Sequence, residues 1–211
     1  DDPVTSIGLR TIFQSKSGAL YIGGFKSFTF STPILGKIYR SFDNGQSWTG
    51  AALPQNNDTY GTFVRKITED ANGALYASGY RLWKSTDAGV TWSIISQSIA
   101  TISLGQVTDD VLVSRDGSLL ALVRISQPDG SAYNEVQQSR DGGTTWQRIL
   151  GPMFQSYASY NFMEAGDGSL VFSTHTGDIY VYADGVFTKT AAMGVYGSNI
   201  SFMKAKDGTL Y

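Results

Sequence analysis

The sequence predicts an all-β chain: a β-propeller of four-stranded antiparallel blades, four complete and a fifth begun, out of a ring of five to seven. Three observations predict it. The octapeptide Ser-x-Asp-x-Gly-x-(Ser/Thr)-Trp occurs three times, as SFDNGQSW from Ser41, STDAGVTW from Ser85 and SRDGGTTW from Ser139. Its aspartates, Asp43, Asp87 and Asp141, stand 44 and 54 residues apart, the period of a four-stranded unit. A second marker interleaves with the first: SGALY at Ser17, NGALY at Asn72, DGSLL at Asp116, DGSLV at Asp167 and DGTLY at Asp207. Each is a turn followed by a strand-like run, so every unit holds two hairpins.

The elements of a unit follow in order. An apolar run gives the first strand, the Gly marker turns the chain, and a second apolar run returns. A connection leads to a third run, such as KIYRS or RLWKS, then to the octapeptide and a last strand. Four short strands repeated radially make a propeller blade. On this reading the blades occupy residues 7–54, 61–98, 109–151 and 161–190, and residues 199–211 begin a fifth. The chain thus reads as one domain that stops inside a hairpin. The fourth blade departs from the pattern, because its VYADGVF at Val181 lacks both the Ser and the Trp.

The octapeptide has its own physical logic. An Asp at the corner of a tight turn accepts hydrogen bonds from backbone N–H groups two or three residues on. Gly45, Gly89 and Gly143 supply the positive φ that closure requires. Ser41, Ser85 and Ser139 add hydroxyl bonds, while Trp48, Trp92 and Trp146 are large enough to fill the wedge between blades. These twelve positions read as structural staples.

The three octapeptides match the Asp-box, or BNR repeat, at every defining position, so the chain resembles the sialidase-like propeller superfamily over residues 7–211. Proteins with that repeat include sialidases, xyloglucan-degrading hydrolases, phage and bacterial surface proteins, and assembly factors without activity. The resemblance therefore speaks to fold more than to chemistry. Sialidases carry an arginine triad, an Arg-Ile-Pro near the first strand and a Tyr–Glu nucleophile pair. Here Arg10 stands in GLRTIF with no proline, so that motif is not met.

Composition agrees with an extracellular β domain, whether secreted, periplasmic or at a cell surface. Glycine is 24 of 211 residues and charged residues are only 16%. Zero cysteines remove disulfides, thiolate zinc sites and thiol nucleophiles together. A net charge of −2 with 16 scattered Lys and Arg argues against nucleic acid, and no stretch reads as membrane-spanning. The single histidine, His175, rules out a His-rich metal site, and no motif calls for a cofactor.

Strand order assigns function to a face. In an antiparallel unit the Gly turns and the octapeptides share one end, and the longer connections gather at the other. Those connections are GFKSFTFSTPILG, LPQNNDTYG, SIATISLGQVTDD, ISQPDGSAYNE and GPMFQSYASYN. Their aromatics, Tyr60, Tyr133, Tyr157 and Tyr160 among them, suit stacking on a sugar, or alternatively plug gaps between blades. Counting back eight residues from the turn glycines reaches Arg10, Arg65, Asp109 and Tyr160 at the start of the innermost strands. Arg10, Arg65 and Lys66 form a cationic sector and Asp109 with Asp110 an anionic one, unless they pair with one another. The expected partner is carbohydrate or polysaccharide, with a protein partner as the rival reading. Glycoside hydrolysis would need two carboxyl groups about 5–9.5 Å apart. Asp58, Asp109, Asp110 and Glu135 are the candidates, with Asp109 and Asp110 expected on opposite sides of their strand.

Overall fold

The computed structural model describes residues 7–26, 36–54, 63–95, 106–153, 161–174 and 176–192. These segments hold four antiparallel sheets of four strands, each paired in chain order. The first contains β1 (Ile7–Gln14), β2 (Leu20–Lys26), β3 (Lys37–Ser41) and β4 (Thr49–Ala52). The second contains β5 (Val64–Glu69), β6 (Leu75–Gly79), β7 (Leu82–Ser85) and β8 (Ser93–Ile94). The third contains β9 (Gln106–Val113), β10 (Leu119–Ser126), β11 (Ala132–Ser139) and β12 (Gln147–Met153). The fourth contains β13 (Asn161–Glu164), β14 (Leu170–Ser173), β15 (Asp178–Ala183) and β16 (Val186–Ala192). The beginning of a fifth unit at 199–211 lies outside the described residues.

Alternation along each strand divides its side chains between two neighbouring sheets. Leu75 and Ala77 of β6 pack on the first sheet with Tyr21 and Ile38. Ala74 and Tyr76, one step out of phase, pack on the third with Leu119, Ala121 and Val123. Leu120 and Leu122 face the fourth sheet, against Phe162 and Phe172, whose rings stack at 5.8 Å. A strand buried on both sides favours consecutive apolar residues, which explains LYA in β6 and LLALV in β10. The first strands β1, β5, β9 and β13 lie against one another in succession, so they are the innermost strands of a fan of blades.

The three octapeptides close alike. Ser41 Oγ donates to Asp43 Oδ1 (2.6 Å) and accepts the Gly45 N–H (2.9 Å). Ser85 with Asp87 and Gly89 repeats this at 2.7 and 2.9 Å, and Ser139 with Asp141 and Gly143 at 2.7 and 2.8 Å. Each Asp then accepts from the backbone N–H and hydroxyl four residues on, in Ser47, Thr91 and Thr145. The expected reach of three residues is met at Asp141, which accepts Thr144 N–H (3.0 Å), and in all three turns the backbone extends it to four. Two successive left-handed residues, such as Ala88 (φ 54°) and Gly89 (φ 76°), fold the turn back further. Trp48 and Trp146 donate to their own turns, at Gly45 O (3.0 Å) and Gly143 O (3.1 Å). Trp92 is buried in the core between the first two sheets.

One connection expected to be long is short. ISQPDGSAYNE forms the ends of β10 and β11 around a tight turn, in which Gln127 N–H donates to Ser131 O (2.8 Å). Asp129 Oδ1 organises it by accepting Ser131 N–H and Oγ at 2.8 and 2.6 Å.

Candidate functional site at the innermost strands

Each of the first three innermost strands carries one residue outside its ladder. Leu9 pairs with Gly24 and Thr11 with Gly23, which leaves Arg10 over. Val64 pairs with Gly79 and Lys66 with Ser78, leaving Arg65; Thr108 pairs with Val123 and Asp110 with Leu122, leaving Asp109. Arg10, Arg65 and Asp109 are thus three equivalent β-bulges, which bend the strand and re-aim its side chains. Gly24 and Gly79 oppose two of them, and a Cβ on either would run into the carbonyl of Gly8 or Phe63.

The bulge overturns the expectation that Asp109 and Asp110 face opposite ways. Both reach the second sheet: Asp109 Oδ1 stands 3.3 Å from Arg65 Nη1, and Asp110 Oδ1 2.9 Å from Lys66 Nζ. Strict alternation fails because the extra residue interrupts it. The cationic and anionic sectors therefore pair with each other.

The two carboxylates nonetheless differ. Asp110 is fully engaged, its Oδ1 also accepting Val111 N–H (2.7 Å) and its Oδ2 accepting Phe162 N–H of the fourth sheet (2.9 Å). It ties three blades together. Asp109 is just as buried, at 1% exposure, but poorly served. Asn134 Nδ2 donates to its Oδ2 at a long 3.3 Å, while Asp109 Oδ1, Arg65 Nε and Asn134 Oδ1 are buried without a hydrogen-bond partner.

Electrostatics agrees with that picture. Burial pushes the Asp109 carboxyl up, against the pull of Arg65 and Arg124, and burial pushes the Arg65 guanidinium down, against the pull of Asp109. Both shifts run against the ion pair because the attraction does not replace the water the two groups lost. Arg10 and Arg124 add positive field at Arg65. The Arg65 guanidinium lies 4.9 Å from the Phe63 ring centroid, and Phe63 meets Tyr80 edge-on at 4.4 Å. A cation, an under-bonded carboxylate, an amide and two aromatic rings therefore share one end of the blades.

The other candidates separate from this cluster. Tyr133 packs against the core between the second and third sheets. Glu135 accepts from Gln137 Nε2 and lies 3.7 Å from Arg148 on β12, toward the outer side of its blade. Asp58, Tyr60, Tyr157, Tyr160 and His175 lie outside the described residues. Sequence reasoning passed over Phe63, Arg124 and Asn134. The one charge in LLALVRIS was the available signal for Arg124.

No family model matches the chain. A protein of unknown function from Dyadobacter fermentans superposes with a TM-score of 0.68 at 15% identity, covering 97% of this chain and 74% of that one. The sialidase of Trypanosoma rangeli in complex with sialic acid superposes with a TM-score of 0.66 at 15% identity, covering 97% of this chain and 42% of that one. The fold is that of the sialidase-like β-propellers. In sequence, a xyloglucanase of Hypocrea jecorina is 30% identical over 144 residues, 56% of this chain. The chain spans 17% of the length of that relative. Among the described residues no helix is long and apolar enough to cross a membrane, and no group of three His, Cys, Asp or Glu could hold a metal ion.

Proposed function

We propose that this sialidase-like propeller recognises an extracellular carbohydrate or surface polymer at the bulged end of its innermost strands. One observation carries the reading: Arg65 Nε, Asp109 Oδ1 and Asn134 Oδ1 are buried polar atoms that the fold leaves without a hydrogen-bond partner at one place. A group left so is costly unless something else completes it. Hydroxyl groups complete all three, since they both donate and accept, and Phe63 with Tyr80 offers apolar surface for the C–H face of a sugar ring. The xyloglucanase relatives support the polymer class, and with it a place outside the cell.

Binding to a panel of polysaccharides that includes xyloglucan tests this, with Arg65→Ala and Asn134→Ala as variants. A loss of about tenfold or more in affinity is expected for each. Unchanged binding in both, with the fold intact by circular dichroism, refutes the site.

Hydrolysis is the second reading. Asp109 favours it, because a carboxyl pushed up by burial is suited to donate a proton to a leaving group. Its partner carboxylate has to come from another connection, and Asp58 is the candidate. Release of reducing sugar that Asp109→Asn abolishes while binding persists supports hydrolysis, and binding without release supports recognition alone.

A further inference from the structure

A second opening lies at the far end of the blades, where the octapeptides sit. Each octapeptide after the first packs against the sheet before it. Tyr21 of β2 donates its hydroxyl to Ala88 O of the second octapeptide (3.2 Å). Lys84 of β7 donates to Gly142 O of the third (2.9 Å), its ammonium 5.5 Å from the Tyr76 ring. Ile95, three residues beyond Trp92, covers Gly143, where an added Cβ would collide with its side chain. A Tyr, a Lys and an Ile thus grip the incoming turn.

Between the third and fourth sheets two parts of this grip change and the third is left uncovered. By ladder register the Tyr76 position becomes Leu120 and the Lys84 position becomes Gln138. The Ile95 position, counted from the tryptophan, becomes Ile149, which is 41% exposed. On the other side, β15 and β16 are joined by Asp184 and Gly185 alone, since Ala183 pairs directly with Val186. In the third sheet eight residues, 139–146, lie between the paired Gln138 and Gln147. The short turn cannot reach across.

The result is a cleft of about 440 Å³ between the blades, with Leu120, Ile149 and Leu170 as apolar wall and Gln138, Asp167, Tyr182 and Asp184 among its polar lining. That volume falls within the range of small-molecule sites. It exceeds what one amine side chain such as Lys84 fills at the neighbouring interface.

We propose that this cleft is a second saccharide subsite, taking one or two neutral pyranose rings. Carboxylates at its mouth accept ring hydroxyls, and Ile149 with Tyr182 offers the flat apolar contact that a sugar's C–H face needs. It is separate from the bulged end and stands or falls independently of the site there.

Saturation-transfer NMR on the full chain with cellobiose, xylobiose and lactose, each at about 10 mM so as to detect a millimolar Kd, tests the cleft. Transfer from at least one disaccharide is expected. Ile149→Arg, a substitution on an exposed wall residue, and Gln138→Lys, which restores the residue type of the filled interface, should each lower the affinity about tenfold. Val90→Arg, at an exposed side chain of the second octapeptide, should leave it unchanged. No transfer from any of the three overturns the proposal, and so does transfer that Arg65→Ala removes while Ile149→Arg preserves it. Transfer to Nα-acetyl-lysine amide with none to any sugar overturns the assignment in favour of a cationic ligand.

Discussion

Replacing Asp110 by Asn tests whether the innermost strands are held together by a buried carboxylate. Asp110 is 1% exposed and receives three donors, Lys66 Nζ at 2.9 Å, Val111 N–H at 2.7 Å and Phe162 N–H at 2.9 Å. Asparagine keeps the shape but offers one carbonyl oxygen. With that oxygen turned to Val111 and Lys66, the amide NH2 faces the Phe162 N–H, donor against donor. One buried donor left unmade costs about 1–3 kcal/mol. Lys66, whose side chain is 36% exposed, keeps that acceptor but loses its counter-charge, which adds roughly 0–1 kcal/mol. The expected loss is therefore about 1–4 kcal/mol, which for a chain of this size lowers Tm by about 2–16 °C. Urea unfolding at unchanged m-value measures it, and hydrogen exchange at Phe162 should rise with it. Arg140→Gln is the control, because its pair with Asp116 is exposed, at 71% and 43%, and should cost under about 1 kcal/mol. If Asp110→Asn costs no more than Arg140→Gln, the buried bridge does not hold the blades.

Three further outcomes follow from the same geometry. Trp83 is fully buried with its Nε1 on Pro54 O at 3.1 Å, so Trp83→Ala should cost about 3–5 kcal/mol in chemical unfolding, and Trp48→Ala, half-exposed over its own turn, markedly less. A Cβ on Gly23 would lie 2.7 Å from Val64 Cγ1; Gly23→Ala should cost about 1–3 kcal/mol, and in a double-mutant cycle with Val64→Ala the two losses should fall short of their sum. The Ser41 and Ser47 hydroxyls hold the Asp43 carboxyl at about 2, and the Thr91 hydroxyl and amide hold Asp87 at about 2. Depressed folded values mean stability that is complete above the ordinary carboxylate range and lost as pH falls from about 4 through 2, so Tm should drop across that window, and Asp87→Asn should flatten the drop.

The blade plan was legible because the turns are local. Asp43, Asp87 and Asp141 bond within their own octapeptides, so eight residues carry the whole instruction. Counting back from the turn glycines also found Arg10, Arg65 and Asp109 as equivalent positions. Their bulges stayed hidden, since one extra residue leaves no change in composition, and only Gly24 and Gly79 across the ladder betray them. Asn134 was missed because it reaches Asp109 from two strands away. The cleft was half visible: VYADGVF announced a missing octapeptide, but Leu120, Gln138 and Ile149, which turn that loss into an opening, belong to the preceding blade.

The bulged position has an evolutionary consequence. A residue standing outside the ladder makes no ladder bond, so the register on either side does not depend on which side chain it carries. Three successive blades hold Arg, Arg and Asp there while keeping their pairing on either side. Where two such residues pair with each other, as Arg65 and Asp109 do, a change at one has to be met by a change at the other.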